Sequence, residues 1–315
     1  RTSQRNWWIT LKKNKINQYS KSSCRTIKSK QDLRLLKFAA IDIGTNAVRL
    51  LFSNITENEN NTTFKKASLV RVPIRLGLDV FNEGKIEEVK REKLISTMHA
   101  FHHLINVHDV IDFRACATSA MREADNGDDI VDIVREKTGI NIEIIDGKTE
   151  AEIIYSNRIV DMVDNSKPYL YVDLGGGSTE LTLFYNNEAQ MSYSFNIGTI
   201  RILRNRVEAS EYDKLKEFLE KISFQYPSVE LIGSGGNINK IFKLAGGKNM
   251  QPIKLKNIRE IYEMILPYSI DERIKILGLN PDRADVIIPA AQIYMKIMKW
   301  ASAKKIIVPK FGVAD

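Results

Sequence analysis

The sequence predicts an α/β protein built as two similar domains with a central cleft between them. Three observations lead there. At 315 residues the chain is long enough to bury two cores. Short apolar runs of strand length alternate with longer segments whose apolar residues recur at helical spacing. The block Phe38 to Phe52 also lies over the block Tyr169 to Phe184, with Asp42 falling on Asp173 and Gly44 on Gly175. Each block reads as strand, Asp-x-Gly turn, strand, turn, strand, and then helix, strand, helix. Two such halves bring their turns to face one cleft, where ligand sites concentrate.

In the first half, Phe38 to Asp42 reads as a strand and Ile43-Gly44-Thr45-Asn46 as its turn. Val48 to Ser53 returns, and a polar tip around Glu57 to Asn61 leads to a third strand over Ala67 to Leu76. Lys85 to Val107 has the helical recurrence of Val89, Leu94, Ile95, Met98, Phe101, Leu104 and Ile105. Phe113 to Ala117 is a strand, Asp128 to Thr138 a helix stopped by Gly139, and Asn141 to Ile145 a strand. Thr149 is placed to cap a helix running through Arg158. In the second half, Tyr169 to Val172 is a buried strand delivering Asp173 to the glycine turn, followed by strands from Glu180 to Tyr185 and Ala189 to Asn196. Gly198-Thr199 opens a helix, Tyr212 to Phe224 forms another, and the strand Val229 to Ile232 runs into Gly233-Ser-Gly-Gly-Asn237 and a helix to Leu244. Helical pieces over Ile258 to Leu266 and Ile270 to Leu277 precede a long helix from Pro281 to Trp300, with proline suited to its first turn. Lys305 to Val308 is the last strand, which could return to pack on the first domain. The stop at Gly312-Val-Ala-Asp315 reads as abrupt, as though a final element followed.

Composition narrows the class. The apolar fraction, 43%, and the charged fraction, 27%, are those of ordinary soluble proteins, and no apolar run nears the roughly 20 residues that span a bilayer. Cys24 and Cys116 make neither a disulfide framework nor a CxxC, which fits a reducing, cytoplasmic setting. The net charge of +8 sits at one end: residues 1–31 hold nine Lys or Arg and no acid, leaving 38 basic against 39 acidic side chains in the rest. The basicity is thus no argument that the folded body binds nucleic acid, and no specific nucleic acid or membrane partner is expected. Residues 1–36 read as a basic appendage, 38–155 as the first domain and 156–315 as the second.

The chemistry concentrates at Asp173-Leu-Gly-Gly-Gly-Ser-Thr-Glu180. Glycines let backbone amides approach a phosphate closely, and successive N–H groups make an anion nest. Carboxylates beside such a nest call for a cation or a polarised water between them, which points to metal-assisted phosphoryl chemistry. His99 and His103 stand at i, i+4 but lack a matching acid, so they read as a helix face rather than a metal pair.

These motifs carry a resemblance. Asp42-Ile-Gly-Thr-Asn46, Asp173 to Glu180 and Gly233 to Asn237 resemble the two phosphate motifs and the later glycine motif of the actin, heat-shock-cognate and sugar-kinase superfamily, a ribonuclease H-like fold. Arg75-Leu-Gly, Ala117-Thr-Ser-Ala-Met-Arg-Glu-Ala, Glu150-Ala-Glu-Ile-Ile-Tyr and Arg283-Ala-Asp-Val-Ile-Ile-Pro-Ala, in this order, resemble the exopolyphosphatase and guanosine pentaphosphate phosphohydrolase family over residues 38–315. The resemblance implies two actin-like domains. It implies Glu150 as the base that activates the attacking water, although the family's usual pair of acids before alanine is here Thr149-Glu150, with Glu152 a neighbouring candidate. It assigns Asp173 and Glu180 to catalysis and to a divalent cation, for which Mg²⁺ suits hard oxygen ligands. It places Gly44, Thr45, Asn46, Arg75, Ser119, Arg122, Gly175, Gly176, Gly177, Ser178, Gly233, Gly235 and Gly236 along the phosphate path. An arginine there can clamp a phosphoryl group bidentately.

The implied reaction is hydrolysis of a terminal phosphoanhydride, with inorganic polyphosphate or guanosine pentaphosphate as substrate and a homodimer as the suggested assembly. Two other readings share the glycine motifs: an ATP-dependent small-molecule kinase of the same superfamily, and a non-catalytic nucleotide-binding assembly module.

Overall fold

A computed structural model describes residues 34–58, 61–147, 149, 150, 153, 164, 166–186, 188–247 and 251–309. The basic appendage up to residue 33, most of the helix expected from Thr149 to Arg158, and Glu152 lie outside the described residues. By internal contacts the chain divides into two units, Arg1–Leu35 with Thr56–Thr63, and Leu36–Ile55 with Phe64–Asp315. The larger unit contains both glycine turns.

The first sheet uses β1 (Arg34–Ile43), β2 (Val48–Asn58), β3 (Asn61–Val72), β4 (Asp112–Ala117) and β5 (Ile142–Ile144) in the order β3-β2-β1-β4-β5. The second uses β6 (Tyr169–Leu174), β7 (Thr179–Tyr185), β8 (Glu188–Phe195), β9 (Glu230–Ser234), β10 (Ile253–Lys254) and β11 (Lys305–Ile307) in the order β10-β11-β9-β6-β7-β8. Read from its β8 edge, the second sheet repeats the first: three sequence-consecutive strands, then strands that follow crossovers. The parallel pairs match as well, β1 with β4 and β4 with β5 in one sheet, β6 with β9 and β9 with β11 in the other. The sequence repeat is therefore a structural repeat, with β10 added at one edge.

Helices cover the sheets: α1 (Gly77–Glu83), α2 (Glu88–Val107), α3 (Ser119–Glu123) and α4 (Gly127–Thr138) in the first half, and α5 (Thr199–Leu203), α6 (Ala209–Gln225), α7 (Gly236–Leu244), α8 (Leu255–Ile265), α9 (Ile270–Lys275), α10 (Pro281–Ala284) and α11 (Ile287–Trp300) in the second. Leu94, Met98 and Phe101 of α2 meet Ile41, Leu50 and Phe52 in one core. Leu215, Leu219 and Ile222 of α6 and Ile293, Tyr294 and Ile297 of α11 meet Leu170, Val172 and Leu181 in the other. Each such fully buried side chain contributes roughly 1.5–3 kcal/mol. Ile200 and Val286, from the second half of the sequence, are buried in the first core, so the halves interlock.

Several elements differ from the sequence reading. The strand expected to Leu76 ends at Val72; Arg75 turns the chain with φ 61°, and α1, which the reading lacked, begins at Gly77. The single helix expected from Pro281 to Trp300 is two, α10 and α11. Pro289 has no N–H to give the Asp285 carbonyl, so a continuous helical ladder fails there. The last strand does not return to the first sheet; β11 lies between β9 and β10.

Candidate active site

Two backbone turns of the same design meet at the centre. After β1, the Gly44 N–H donates to the Ala47 carbonyl at 3.1 Å; after β6, the Gly175 N–H donates to the Ser178 carbonyl at 3.0 Å. A Cβ added to Gly176 would lie 2.8 Å from Thr45 Cγ2, and one added to Gly177 would lie 2.6 Å from Ser119 Oγ. Glycine at these positions is what allows the turns to touch. Across the contact the hydroxyls of Thr45 and Ser119 share a hydrogen bond of 2.7 Å.

Helix α5 shapes the second turn. The Thr199 N–H donates to the Gly175 carbonyl at 3.1 Å, the Ile200 N–H to Gly176 at 2.8 Å, and Arg201 Nε to Gly177 at 2.8 Å. Three consecutive carbonyls are thus drawn toward α5. No peptide among the described residues is cis, and in a trans peptide the next N–H points the opposite way. The amides of Gly176, Gly177 and Ser178 are turned from α5 together, as in an anion nest.

The carboxylates stand beside this nest. Asp173 and Glu180 are direct partners in the antiparallel β6–β7 ladder, so their side chains share one face. Both are buried, at 9% and 3% exposure. Burial pushes Asp173 up to about 7, Glu180 adds to the push, Arg49 opposes it and Asp42 adds again. Glu180 is also raised by burial, while hydrogen bonds from Ser178 and Ser194 and the charge of Arg122 favour its ionised form. Glu150, 7% exposed, is raised well above the usual carboxylate range by burial first and then by Glu180, Asp173 and Asp42. Its Oε2 is buried without a hydrogen-bond partner among the described residues. An orphaned, desolvated carboxylate oxygen is costly unless a proton, water or ligand meets it.

The remaining expected residues divide into those at this centre and those anchored nearby. Ser119 opens α3, and Arg122 on the same helix donates to the Ile145 carbonyl at 2.7 Å while its charge reaches Glu150 and Glu180. Asn46 is tied by Nδ2 to Asp282, through the backbone carbonyl at 3.0 Å and the carboxylate at 3.1 Å. Arg75 pairs with Asp285 at 2.6 Å. Gly235, with φ 101°, places its backbone beside Asp173, and Gly236 lies under the Arg283 guanidinium. Gly233 sits inside β9, where a Cβ would strike Ile306 at 2.7 Å, so packing accounts for it.

The sequence reading passed over three residues that belong here. Asp42 accepts a 2.6 Å ion pair from Arg49 and adds its charge to the cluster; the repeat that aligned it with Asp173 was the available signal. Ser194 is legible only from the β7–β8 register, where it faces Glu180. Arg201 has no local sequence signature. No three of His, Cys, Asp and Glu converge as a metal-binding group among the described residues, and His102 and His103 stack on each other instead. A cavity of about 350 Å³ between Tyr212, Tyr262 and Lys296 lies on other elements and holds none of the expected site residues.

Comparison with known proteins agrees with this geometry. The sequence model of the Ppx/GppA phosphatase family matches residues 58–315. The chain belongs to that family. It is accordingly a hydrolase of the phosphatase class. The bifunctional 3-dehydroquinate synthase/phosphatase of Fusobacterium nucleatum is 30% identical over 296 residues; the match covers 86% of this chain and 44% of that protein, so this chain spans less than half of that relative. Exopolyphosphatase 2 of Mycobacterium tuberculosis is 25% identical over 317 residues, covering 90% of this chain and 98% of that one. Crystal structures of a Cytophaga hutchinsonii exopolyphosphatase (TM-score 0.76, 23% identity, 88% of this chain and 95% of that one) and of the Aquifex aeolicus Ppx/GppA member (TM-score 0.70, 23% identity, 89% and 95%) share this chain's fold. Among the described residues no helix is long and apolar enough to cross a membrane.

Proposed function

We propose that this protein hydrolyses the terminal phosphoanhydride of inorganic polyphosphate and releases orthophosphate. The observation that carries the reading is Glu150: a buried carboxyl with one oxygen unpartnered among the described residues, its charge felt with those of Asp173 and Glu180 beside the glycine nest. A carboxylate whose pKa is raised is a stronger base once ionised, and Arg122 favours ionisation. Glu150 takes a proton from water as the water oxygen bonds to the end phosphorus. The bridging P–O bond breaks, and the chain one phosphate shorter leaves with the electron pair. The amides of Gly176, Gly177 and Ser178, with the one hydroxyl proton that the Thr45–Ser119 hydrogen bond leaves free, receive the phosphoryl oxygens.

Asp173 and Glu180 fit a divalent cation: they are hard oxygen donors on one face of a ladder, with buried negative charge to offset. Mg²⁺ is held by one or two carboxylates with waters and substrate phosphates, and there it would neutralise charge on the phosphate oxygens. Guanosine pentaphosphate ends in the same anhydride and is the second substrate of this reading; a cytoplasmic location and a homodimer are part of it. The test is a phosphate-release panel with Mg²⁺ on long polyphosphate, short polyphosphate, guanosine pentaphosphate and ATP. Release from polyphosphate without an acceptor is expected. Turnover of ATP alone, dependent on an acceptor, would replace the reading with a kinase, and binding without turnover would replace it with an assembly module.

A further inference from the structure

We infer that Arg201 is the positioning residue of the glycine turn, and that its pair with Glu123 fixes that turn against the first half of the protein. The inference rests on the reading of the turn as a phosphate cradle.

Arg201 is 9% exposed, and its guanidinium is engaged inside the protein in three directions. Nε donates to the Gly177 carbonyl at 2.8 Å. One terminal nitrogen donates to both carboxylate oxygens of Glu123, at 2.7 and 2.6 Å. The guanidinium Cζ lies over the Phe81 ring, 4.2 Å from the ring centroid. The backbone N–H of the same residue reaches the Gly176 carbonyl at 3.2 Å. Nε and that terminal nitrogen are spent on Gly177 and Glu123, and through them the side chain acts on the turn.

The partners explain why these contacts are coupled. Glu123 is the last residue of α3, whose first residue, Ser119, lies against Gly177. Phe81 of α1 also abuts Gly177; a Cβ there would meet its ring at 2.6 Å. One guanidinium therefore sets the Gly177–Ser178 peptide plane and holds the helix that carries the opposing hydroxyl. A lysine, with one point charge and no planar fork, can keep the charge but cannot hold the carbonyl, the carboxylate and the ring together. Misplacing donors by about 1 Å can cost on the order of a hundredfold in rate.

The test compares Arg201→Lys and Glu123→Gln in the full chain. Two readouts are taken: amide hydrogen exchange at Gly175 and at Thr199–Ile202, and kcat and KM for phosphate release from polyphosphate with Mg²⁺. Arg201→Lys is expected to speed exchange at those amides about tenfold while β9 and α11 keep wild-type protection. Its kcat should fall about tenfold or more with KM within about threefold, because aligned donors act in the transition state. Glu123→Gln should move both readouts the same way and less. Wild-type exchange and wild-type kcat in folded variants would overturn the inference, as would a uniform rise in exchange over the whole protein. If Arg201→Lys does not fold, Glu123→Gln decides. If the wild type releases no phosphate from any substrate, the proposed function fails and the exchange result still judges the role of Arg201.

Discussion

The two Asp-x-Gly turns share a backbone and differ in charge. In the first, Asp42 is met by Arg49 at 2.6 Å, and the neighbouring Asn46 is bound to Asp282. In the second, Asp173 is met by another carboxylate, Glu180, and burial raises both. The first turn is neutralised within the protein; the second keeps negative charge that a cation, a proton or a ligand must offset. The repeat gives two turns of one design: the first lends the Thr45 hydroxyl and keeps its own acid paired, and the second carries the acids whose charge is left to offset. Glu150, the base of the proposed mechanism, belongs electrostatically to the second.

Four measurements would break or sharpen that contrast. The largest effect is expected from Glu150→Gln: phosphate release should fall about a thousandfold, within the range for loss of a general base. Its melting temperature should stay equal or rise, because the amide removes like-charge repulsion; release at the wild-type rate by a folded variant would remove Glu150 from the mechanism. Next come the glycines. Gly176→Ala drives a Cβ to 2.8 Å from Thr45 and should reduce kcat by tens of fold, whereas Gly44→Ala meets only the Ala47 carbonyl at 3.2 Å and should cost a few fold. Equal losses would mean that the two turns are equivalent after all.

The third measurement is the pH profile. Activity requires an ionised Glu150, whose carboxyl is held well above the usual carboxylate range by burial first and then by Glu180, Asp173 and Asp42, so kcat/KM should rise with pH on a limb above that range, as a property of the coupled cluster. Arg122→Gln removes the cation that favours ionised Glu150 and should move this limb up by about one unit. A limb at pH 4–5 would show the cluster to be well solvated. The smallest effect is on stability without metal. The folded-state pKa of Asp173 lies above its ordinary value of 3.8, so its contribution is fully present below about pH 4 and is lost as pH rises through about 7. The shift corresponds to on the order of 4 kcal/mol. With chelator present, the melting temperature should drop between pH 5 and 8, and Mg²⁺ should restore it at pH 8 and do little at pH 5.

What the sequence made legible was local. The glycine turns, the buried strands and their repetition are written in neighbouring residues, and both sheets follow from them. The Asp173–Glu180 pair was visible as two acids around a turn, but only the antiparallel register puts them face to face. Glu150 sits on a segment with no chemical signature of its own, and resemblance rather than spacing singled it out. Arg75 and Arg201 show the limit from opposite sides. The first was expected on the phosphate path and is held by Asp285; the second gave no signal, because the hydrogen-bond partners of its side chain, Gly177 and Glu123, lie 20 or more residues away. Element boundaries failed where a single backbone event decides them, such as the positive φ at Arg75 and the missing N–H at Pro289.

The contact between α5 and the second turn also bears on the order of folding. A Cβ on Gly198 would lie 2.2 Å from the Gly176 carbonyl, so these two backbones are in direct apposition. The chain between them is the β7–β8 hairpin, and closing so short a loop costs little entropy compared with docking the two halves. The nest can therefore assemble as soon as one hairpin zips, by contacts of low sequence separation. The long-range contributions from Thr45 and Ser119 arrive with a later, slower step. A newly made chain would hold the cradle before it holds the opposing hydroxyls, and catalytic competence would appear last.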